Sequence, residues 1–186
     1  MVAFRRLKNL KDLLVHSSQD KGEKEEQEVA KCKATRCKCC PHLQETSRFS
    51  IKGKEHRVIS GGTCKSTNLI YGVRCSKCDL WYVGESSMKL HERLNQHRYS
   101  TGKVKRGGLL DKSNDTGLAE HFAQDNHNFD QDLELYILEK GQWKTPMERK
   151  SKESYYICRH STQEPDGLNK NAGFLGDLYE KVHGKI

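Results

Sequence analysis

Two tyrosines, an arginine and a histidine lie close together in the sequence and could provide a site for cleaving phosphodiesters. Ten residues separate Tyr71 from Tyr82, and Arg93 and His97 follow, four positions apart. Side chains at i and i+4 of a helix project together, so a guanidinium and an imidazole would form one patch that can bind a phosphate. The alternative is that Arg93 extends from an apolar stripe to solvent while His97 fills the core.

Glu153 is the carboxylate that could complete such a site. It precedes Tyr156 and Ile157 on a predicted helix, so it flanks a buried face. A carboxylate in this position either pairs with a cation, such as Arg149, or is held for a metal ion. Two tyrosines, an arginine, a histidine and a glutamate would together suffice for phosphodiester hydrolysis with one divalent cation.

The cysteines indicate metal ligation rather than disulfide bonding. The chain has 8 cysteines and 9 histidines, and its start lacks the apolar core of a signal peptide. Cys75 and Cys78 have the spacing of half a zinc site, for which His121 and His127 are the favoured complement. Cys64 is a competing choice as their partner.

A second group of thiols lies upstream. The four candidate ligands are Cys32, Cys37, Cys40 and Cys64, and this division of the cysteines is the one that we favour. The alternative is free thiols in a flexible linker, but a segment with so few apolar residues can hardly fold without a cross-link or a metal. Of the remaining thiols, Cys39 is a spare and Cys158 is expected to be a small core residue.

The spacing of apolar residues predicts the elements that would position these side chains. Strands are predicted at residues 68–75, 80–85 and 133–138. Helices are predicted at residues 4–16, 87–99, 115–125 and 145–159, and the last of them opens with a capping box. The basic stretch 101–113 is expected to be an exposed loop, in which Lys103, Lys105 and Arg106 meet backbone phosphates.

The overall charge favours a polyanionic partner. The 186 residues carry a formal net charge of +8, and 34% of them are hydrophobic. This balance is typical of a soluble protein that binds nucleic acid. No segment has the apolar length of a membrane span, so no membrane partner is expected, and secretion is not expected either.

In their order and spacing, these residues resemble the motifs of the GIY-YIG nuclease family. Leu69-Ile70-Tyr71 stands at the first motif, with leucine where the family has glycine, and Tyr82-Val83-Gly84 stands at the second. Arg93 in the pattern LxxRxxxH, Glu153 in ESYYICR, and Pro165-Asp166-Gly167-Leu168-Asn169 match the later motifs in order.

Within that family, the chain is most similar to the C-terminal endonuclease of Penelope-like retroelements. Those endonucleases carry cysteines between the two tyrosine motifs and histidines downstream, and the opening FRRLKNLKDLLVHSS resembles the end of their reverse transcriptase part. The resemblance implies a DNA endonuclease that nicks a strand to prime reverse transcription. It also implies a nuclear location, with the element's RNA and a reverse transcriptase region as further candidate partners.

The resemblance implies a fold and a mechanism as well. The fold is of the mixed α/β (α+β) class, a small three-stranded antiparallel sheet flanked by helices, with a Cys-rich zinc-binding extension. Glu153 would hold one Mg²⁺ or Mn²⁺, and Arg93 would neutralise charge on the phosphoryl oxygens. Tyr71 would act as the general base, Tyr82 and His97 would orient the water or the phosphate, and Asn169 would brace the site. Zinc would be structural only.

The expected organisation has four parts: a helix and charged linker at residues 1–30, a Cys-rich zinc-binding linker at 31–66, the endonuclease domain at 67–176 and a tail at 177–186. The alternative function is a zinc-stabilised module that binds nucleic acid without cutting it. A cysteine-based redox protein is disfavoured, because the Cys75-x-x-Cys78 pair does not lie at a helix start after a strand.

Overall fold

The computed structural model describes residues 28–110 and 116–175 of the chain. The helix predicted at residues 4–16, the linker up to residue 27 and the tail from residue 177 lie outside the described residues. Among the helices that are described, none combines the length and the apolar character needed to cross a membrane.

The described elements follow one another in the order β1 (Arg48–Ile51), β2 (Lys54–Arg57), β3 (Leu69–Cys75), β4 (Trp81–Ser86), α1 (Leu90–Lys105), α2 (Gly117–Ala123), α3 (Phe129–Asp132), β5 (Leu133–Lys140) and α4 (Pro146–His160). Strands β3, β4 and β5 form an antiparallel sheet in the order β4-β3-β5. The predicted small sheet with helices is therefore confirmed as a mixed α+β architecture.

Strand β3 is central, and both of its faces are covered. Leu69, Tyr71 and Val73 belong to a core on the side of α1 and α2, whereas Ile70 belongs to a second core with Ile157 of α4. This explains why six of the seven residues of β3 are buried. The sheet thus separates a layer that contains α1 from a layer that contains α4.

Helix α4 begins as the capping-box pattern predicts. The Thr145 hydroxyl accepts a hydrogen bond from the Glu148 amide at 3.2 Å, and Pro146 occupies the first turn, where no intrahelical donor is needed. The prediction for Cys158 on this helix is wrong, because its side chain is partly exposed. Its neighbour Ile157 takes the core position instead.

Helix α1 is longer than the sequence predicts. The stretch from residue 101 was expected to be a loop, but the helix continues to Lys105, so Lys103 and Lys105 lie in its last turn. Gly102 costs a helix about 1 kcal/mol relative to alanine, but the helix is also held by burial of Leu90, Leu94, His97 and Thr101. The helix ends just before Gly107, which adopts a φ of +78°.

The β1–β2 hairpin was not predicted from the sequence. Its turn has positive φ at both Lys52 and Gly53, which is the pattern of a two-residue hairpin turn. Ile51 of this hairpin is fully buried and joins the core on the side of α4. The segment predicted to be a Cys-rich linker therefore contributes a strand pair to the fold.

Candidate active site and metal centres

The hydroxyl of Tyr71 is the centre of a hydrogen-bonded cluster. It lies 2.7 Å from Nε2 of His97 and accepts a hydrogen bond from Nε of Arg93 at 3.0 Å. Arg93 and His97 project from the same face of α1 toward β3, as their i, i+4 spacing predicts. The rings of Tyr71 and Tyr82 lie 6.3 Å apart, so the two tyrosines are neighbours as expected.

Gly84 makes this arrangement possible. It lies opposite Tyr71 in the pairing of β3 with β4. A β-carbon at this glycine would lie 2.6 Å from the Tyr71 hydroxyl and 2.7 Å from the ring of Tyr82, which is closer than non-bonded atoms approach. The missing side chain therefore provides the space in which the Tyr71 phenol reaches α1.

The pKa values of Tyr71 and His97 are both shifted in the direction that favours the neutral form. Burial raises the pKa of Tyr71, although the charge of Arg93 beside it acts in the opposite direction. Burial also lowers the pKa of His97 well below 6.5, and Arg93 adds to that effect. His97 is thus a neutral imidazole at physiological pH, able to accept the hydrogen of the Tyr71 hydroxyl.

Glu153 lies at a cleft along the outer edge of β4. Its Oε1 accepts a hydrogen bond from the backbone amide of Glu85 at 3.1 Å. Tyr82, Arg93 and Glu153 are among the residues that line this cleft of about 910 Å³, whereas the buried Tyr71 is not. Burial is the main cause of the raised pKa of Tyr71, and the negative charge of Glu153 acts in the same direction.

Two further acidic side chains that line the cleft form ion pairs. Glu85 forms a short ion pair with Arg149, the cation that was the sequence-based alternative partner for Glu153. Glu120 forms an ion pair with Lys170 at 2.7 Å. Glu153 is the third carboxylate that lines the cleft.

Asn169 braces the same strand edge. Its amide nitrogen donates to the carbonyl of Val83 at 2.7 Å, and its side-chain oxygen accepts from the Val83 amide at 2.9 Å. The Thr162 hydroxyl donates to that same oxygen at 2.8 Å. Asn169 is 1% exposed and does not line the cleft, so its contribution is to hold β4 in place beside Glu153.

The upstream thiols form a group that could hold a metal ion. The sulfur atoms of Cys32, Cys37, Cys40 and Cys64 all lie within 4.8 Å of one another. Cys40 lies 3.5 Å from Cys32 and 3.6 Å from Cys64, close to the sulfur separation of about 3.8 Å that follows from tetrahedral Zn–S bonds. The spare Cys39 is buried, and its hydrogen bond to Cys64 raises the pKa of that thiol.

The second predicted group also comes together. The ligand atoms of Cys75, Cys78, His121 and His127 lie within 4.8 Å of one another, with Cys78 3.4 Å from Nε2 of His121. Nε2 of His127 is buried and has no hydrogen-bond partner within the described residues, while its Nδ1 contacts Oδ1 of Asn126 at 2.8 Å. A metal ion would satisfy the orphaned nitrogen, and the Asn126 contact would orient the ring.

The basic residues predicted to contact phosphates lie beside the cleft. Lys103 and Lys105 are in the last turn of α1 and Arg106 is its C-cap residue. Val104 and Gly108 from this part of the chain line the cleft itself. Lys150, three positions before Glu153, also lines the cleft and was not predicted to do so. Its charge and its helical spacing from Glu153 were the signals in the sequence.

The cleft therefore combines a phenol, a guanidinium and a carboxylate, with a neutral imidazole behind them. This set can bind a phosphodiester, stabilise its developing negative charge and position one divalent cation. Comparison of the chain with protein-family models, with curated proteins and with solved structures finds no match.

Proposed function

We propose that this protein is a divalent-metal-dependent DNA endonuclease of the GIY-YIG type, which nicks a strand by hydrolysing a phosphodiester bond. The main observation in its support is that Arg93 and His97 both contact the hydroxyl of Tyr71, beside the cleft that Glu153 lines. The order of the sequence motifs and the charge of +8 also support it.

Arg93 has donors to spare for a phosphate. Its Nε contacts Tyr71 and its Nη1 contacts Gln96 at 3.1 Å, which leaves part of the guanidinium fork facing the cleft that it lines. Arg93 would bind the non-bridging oxygens of the scissile phosphate and stabilise the charge that grows on them.

Tyr71 is the proposed general base. The charge of Arg93, whose Nε donates to the Tyr71 hydroxyl at 3.0 Å, favours the ionised phenol, which would take a proton from the attacking water. His97, with Nε2 2.7 Å from that hydroxyl, would hold the phenol in position. Tyr82, which lines the cleft, would orient the water.

Glu153 fits the requirements of a Mg²⁺ or Mn²⁺ ligand. Magnesium is commonly held by one or two carboxylates together with substrate phosphates and water. Glu153 lines the cleft and is fixed by the Glu85 amide, while the neighbouring carboxylates are neutralised by Arg149 and Lys170. When bound, the cation would polarise the scissile phosphate and stabilise the departing 3′ oxygen.

We assign zinc to both four-ligand groups, with a structural role. All-thiolate and Cys₂His₂ sets are typical structural zinc sites, because no ligand position is left open for chemistry. We further propose that the parent polypeptide joins this endonuclease to a reverse transcriptase region, that the element's RNA is a further partner, and that the nucleus is its location; these rest on the family resemblance.

A plasmid-nicking assay with Mg²⁺ or Mn²⁺ tests the function. Supercoiled DNA should be converted to the open circular form by the parent, and Glu153→Gln and Arg93→Ala should each lower the rate by at least about 10²-fold. Glu55→Gln and Arg48→Ala on the β1–β2 hairpin are matched charge controls and should retain the activity. Nicking that survives both cleft substitutions would reject the assignment, and DNA binding without nicking would favour the non-catalytic module.

A further inference from the structure

The cleft contains a second pair of polar groups that the proposed chemistry does not use. Lys150 of α4 and Asn171 of the following loop both line it. The Lys150 ammonium makes no hydrogen bond or ion pair within residues 28–110 and 116–175. Asn171 accepts a hydrogen bond from the Gly173 amide at 2.9 Å through its side-chain oxygen, so its NH₂ group is available as a donor.

A buried serine fixes the two groups relative to each other. The hydroxyl of Ser154 donates to the carbonyl of Lys150 at 3.0 Å and accepts from the amide of Leu175, also at 3.0 Å. Ser154 is fully buried, and Gly173 packs directly against it, with a φ of +79° and no room for a β-carbon. The loop that carries Asn171 is thereby fastened to the helix that carries Lys150.

The charges around the cleft favour an anion at this position. Glu85 pairs with Arg149, and Lys170 pairs with both Glu120 and Glu164. Beside these pairs, Lys150 adds a positive charge to the cleft, and Lys103, Lys105 and Arg106 add three more at the nearby end of α1. Lys150 lies three residues before Glu153, so the two side chains are neighbours on one helix face.

We infer that Lys150 and Asn171 form a phosphate-binding subsite for the linkage next to the scissile one in the cut strand. This inference rests on the proposed function, because it takes Glu153 and Arg93 as the position of the scissile phosphate. Lys150 supplies charge and Asn171 a neutral donor to the phosphodiester oxygens, which fixes the position of the strand along the cleft without reading its bases.

Oligonucleotides with one neutral methylphosphonate linkage test the subsite. A single linkage is replaced, on the 5′ or the 3′ side of the cut position, and kcat/KM is compared for the parent and Lys150→Ala. With the parent, one of the two replacements should cost about tenfold, the value of one charge-assisted hydrogen bond. Lys150→Ala should lower kcat/KM about tenfold on the all-phosphate strand. On the strand whose neutral linkage slows the parent, the substitution should lower kcat/KM almost no further.

Two further variants control for indirect effects. Lys152→Ala removes a lysine from the same helix whose ammonium pairs with Glu139 at 3.5 Å, and it should behave as the parent does. Lys150→Arg should retain most of the activity, because it keeps the charge. Equal penalties from the neutral linkages in the parent and in Lys150→Ala would overturn the inference.

DNA binding separates failure of the subsite from failure of the proposed function. Fluorescence anisotropy of a labelled duplex in Ca²⁺ measures affinity whether or not the protein cuts DNA. Lys150→Ala should weaken binding and reduce the slope of log K against log salt by about 0.9, the value for one phosphate contact. If the parent binds DNA but does not nick it, the proposed function fails, while the comparison of binding still tests the phosphate-binding subsite. An unchanged slope and affinity in Lys150→Ala would overturn the subsite inference.

Discussion

Gly84 determines how closely the two tyrosines can approach each other. It lies opposite Tyr71 in the sheet, at the place where the phenol crosses β4 to reach α1. The sequence marks it only as the glycine of the motif Tyr82-Val83-Gly84. Its physical importance follows from the space that the structure leaves there, which is too small for a methyl group.

We predict that Gly84→Ala strongly reduces nicking. The new β-carbon would meet the Tyr71 hydroxyl at 2.6 Å, so both tyrosines must shift. A displacement of this size at a reacting group costs about 10²-fold in rate, and overpacking costs about 1–3 kcal/mol of stability. Nicking rates and thermal unfolding of the purified variant measure the two effects.

Gly102→Ala is the matched control for that substitution. Its β-carbon would find only the end of the flexible Arg106 side chain, at 3.4 Å, and alanine favours the helix by up to about 1 kcal/mol. The control should leave nicking unchanged and raise the unfolding temperature. A Gly84→Ala variant that nicks DNA at the parental rate would show that the placement of Tyr71 does not matter for the reaction.

The residues of the candidate site were easier to predict from the sequence than the side chains that surround them. Tyr71, Arg93 and His97 come together as their spacing indicates, because helical and strand periodicities fix which side chains share a face. The partner of Arg149 could not be predicted, since Glu85 lies 64 positions away in the chain. Long-range pairing of this kind depends on how the elements pack and has no local signal.

At the element scale, the upstream thiol group is joined to the helix that carries the catalytic candidates. The carbonyl of Cys64 accepts a hydrogen bond from the amide of His91 at 2.9 Å, and the carbonyl of Ser66 accepts from that of Leu90 at 3.0 Å. These are among the amides that a helix cannot satisfy internally. The chain around Cys64 therefore caps α1.

We predict that Cys37→Ser removes one of about two zinc ions per chain and loosens the start of α1. Loss of one ligand leaves three thiolates, which no longer close a tetrahedral site. Metal analysis by mass spectrometry should show the missing ion, and hydrogen exchange should show faster exchange at Leu90 and His91. The exchange measurement tests the coupling independently of any activity.

Cys158→Ser provides the control for metal content. Cys158 belongs to neither four-ligand group and is partly exposed, so both ions and the exchange protection should remain. Purified parent protein without bound zinc would refute the assignment of the metal. Protection at Leu90 and His91 that persists in Cys37→Ser would refute the coupling to α1.

Strands and helices could be predicted where the periodicity of apolar residues was strong, and were missed where it was weak. Strands β3 and β4 were found because apolar, β-branched and aromatic residues dominate them. The β1–β2 hairpin was missed because its strands have four residues each and are mostly polar. The end of α1 was misplaced because a single glycine was taken as a helix breaker, although packing of the helix outweighs its cost.

At the scale of the whole molecule, the Cys-rich segment is packed against the sheet. The amide of Leu135 in β5 donates to the carbonyl of His42, and the amide of Gln44 donates to the carbonyl of Leu135, both at 2.9 Å. This pairing covers the edge of β5 that would otherwise be open. Leu43 and Cys64 are at most 1% exposed and belong to the same core as Tyr71.

The sequence suggested a boundary between a linker at 31–66 and an endonuclease domain at 67–176, and the packing allows that boundary to be tested. We predict that residues 67–176 alone do not form a stable monomer. Removing the upstream segment exposes the edge of β5 and both cores, because Leu43 contributes to one core and Ile51 to the other. Exposed strand edges and apolar surface promote association, so size-exclusion chromatography should show aggregates and thermal unfolding should lose its cooperativity.

Deletion of residues 1–27 is the control for this truncation, because it keeps the upstream segment that packs against β5 and both cores. That variant should elute as a folded monomer and unfold cooperatively in the presence of zinc. A shortened chain of residues 67–176 that is equally monomeric and cooperative would establish the boundary, and would show that the pairing of residues 42–44 with β5 and the burial of Ile51 contribute little free energy to folding. The expected difference between the two truncations would instead make the thiol-rich segment an integral part of the folding unit that carries Tyr71, Arg93 and Glu153.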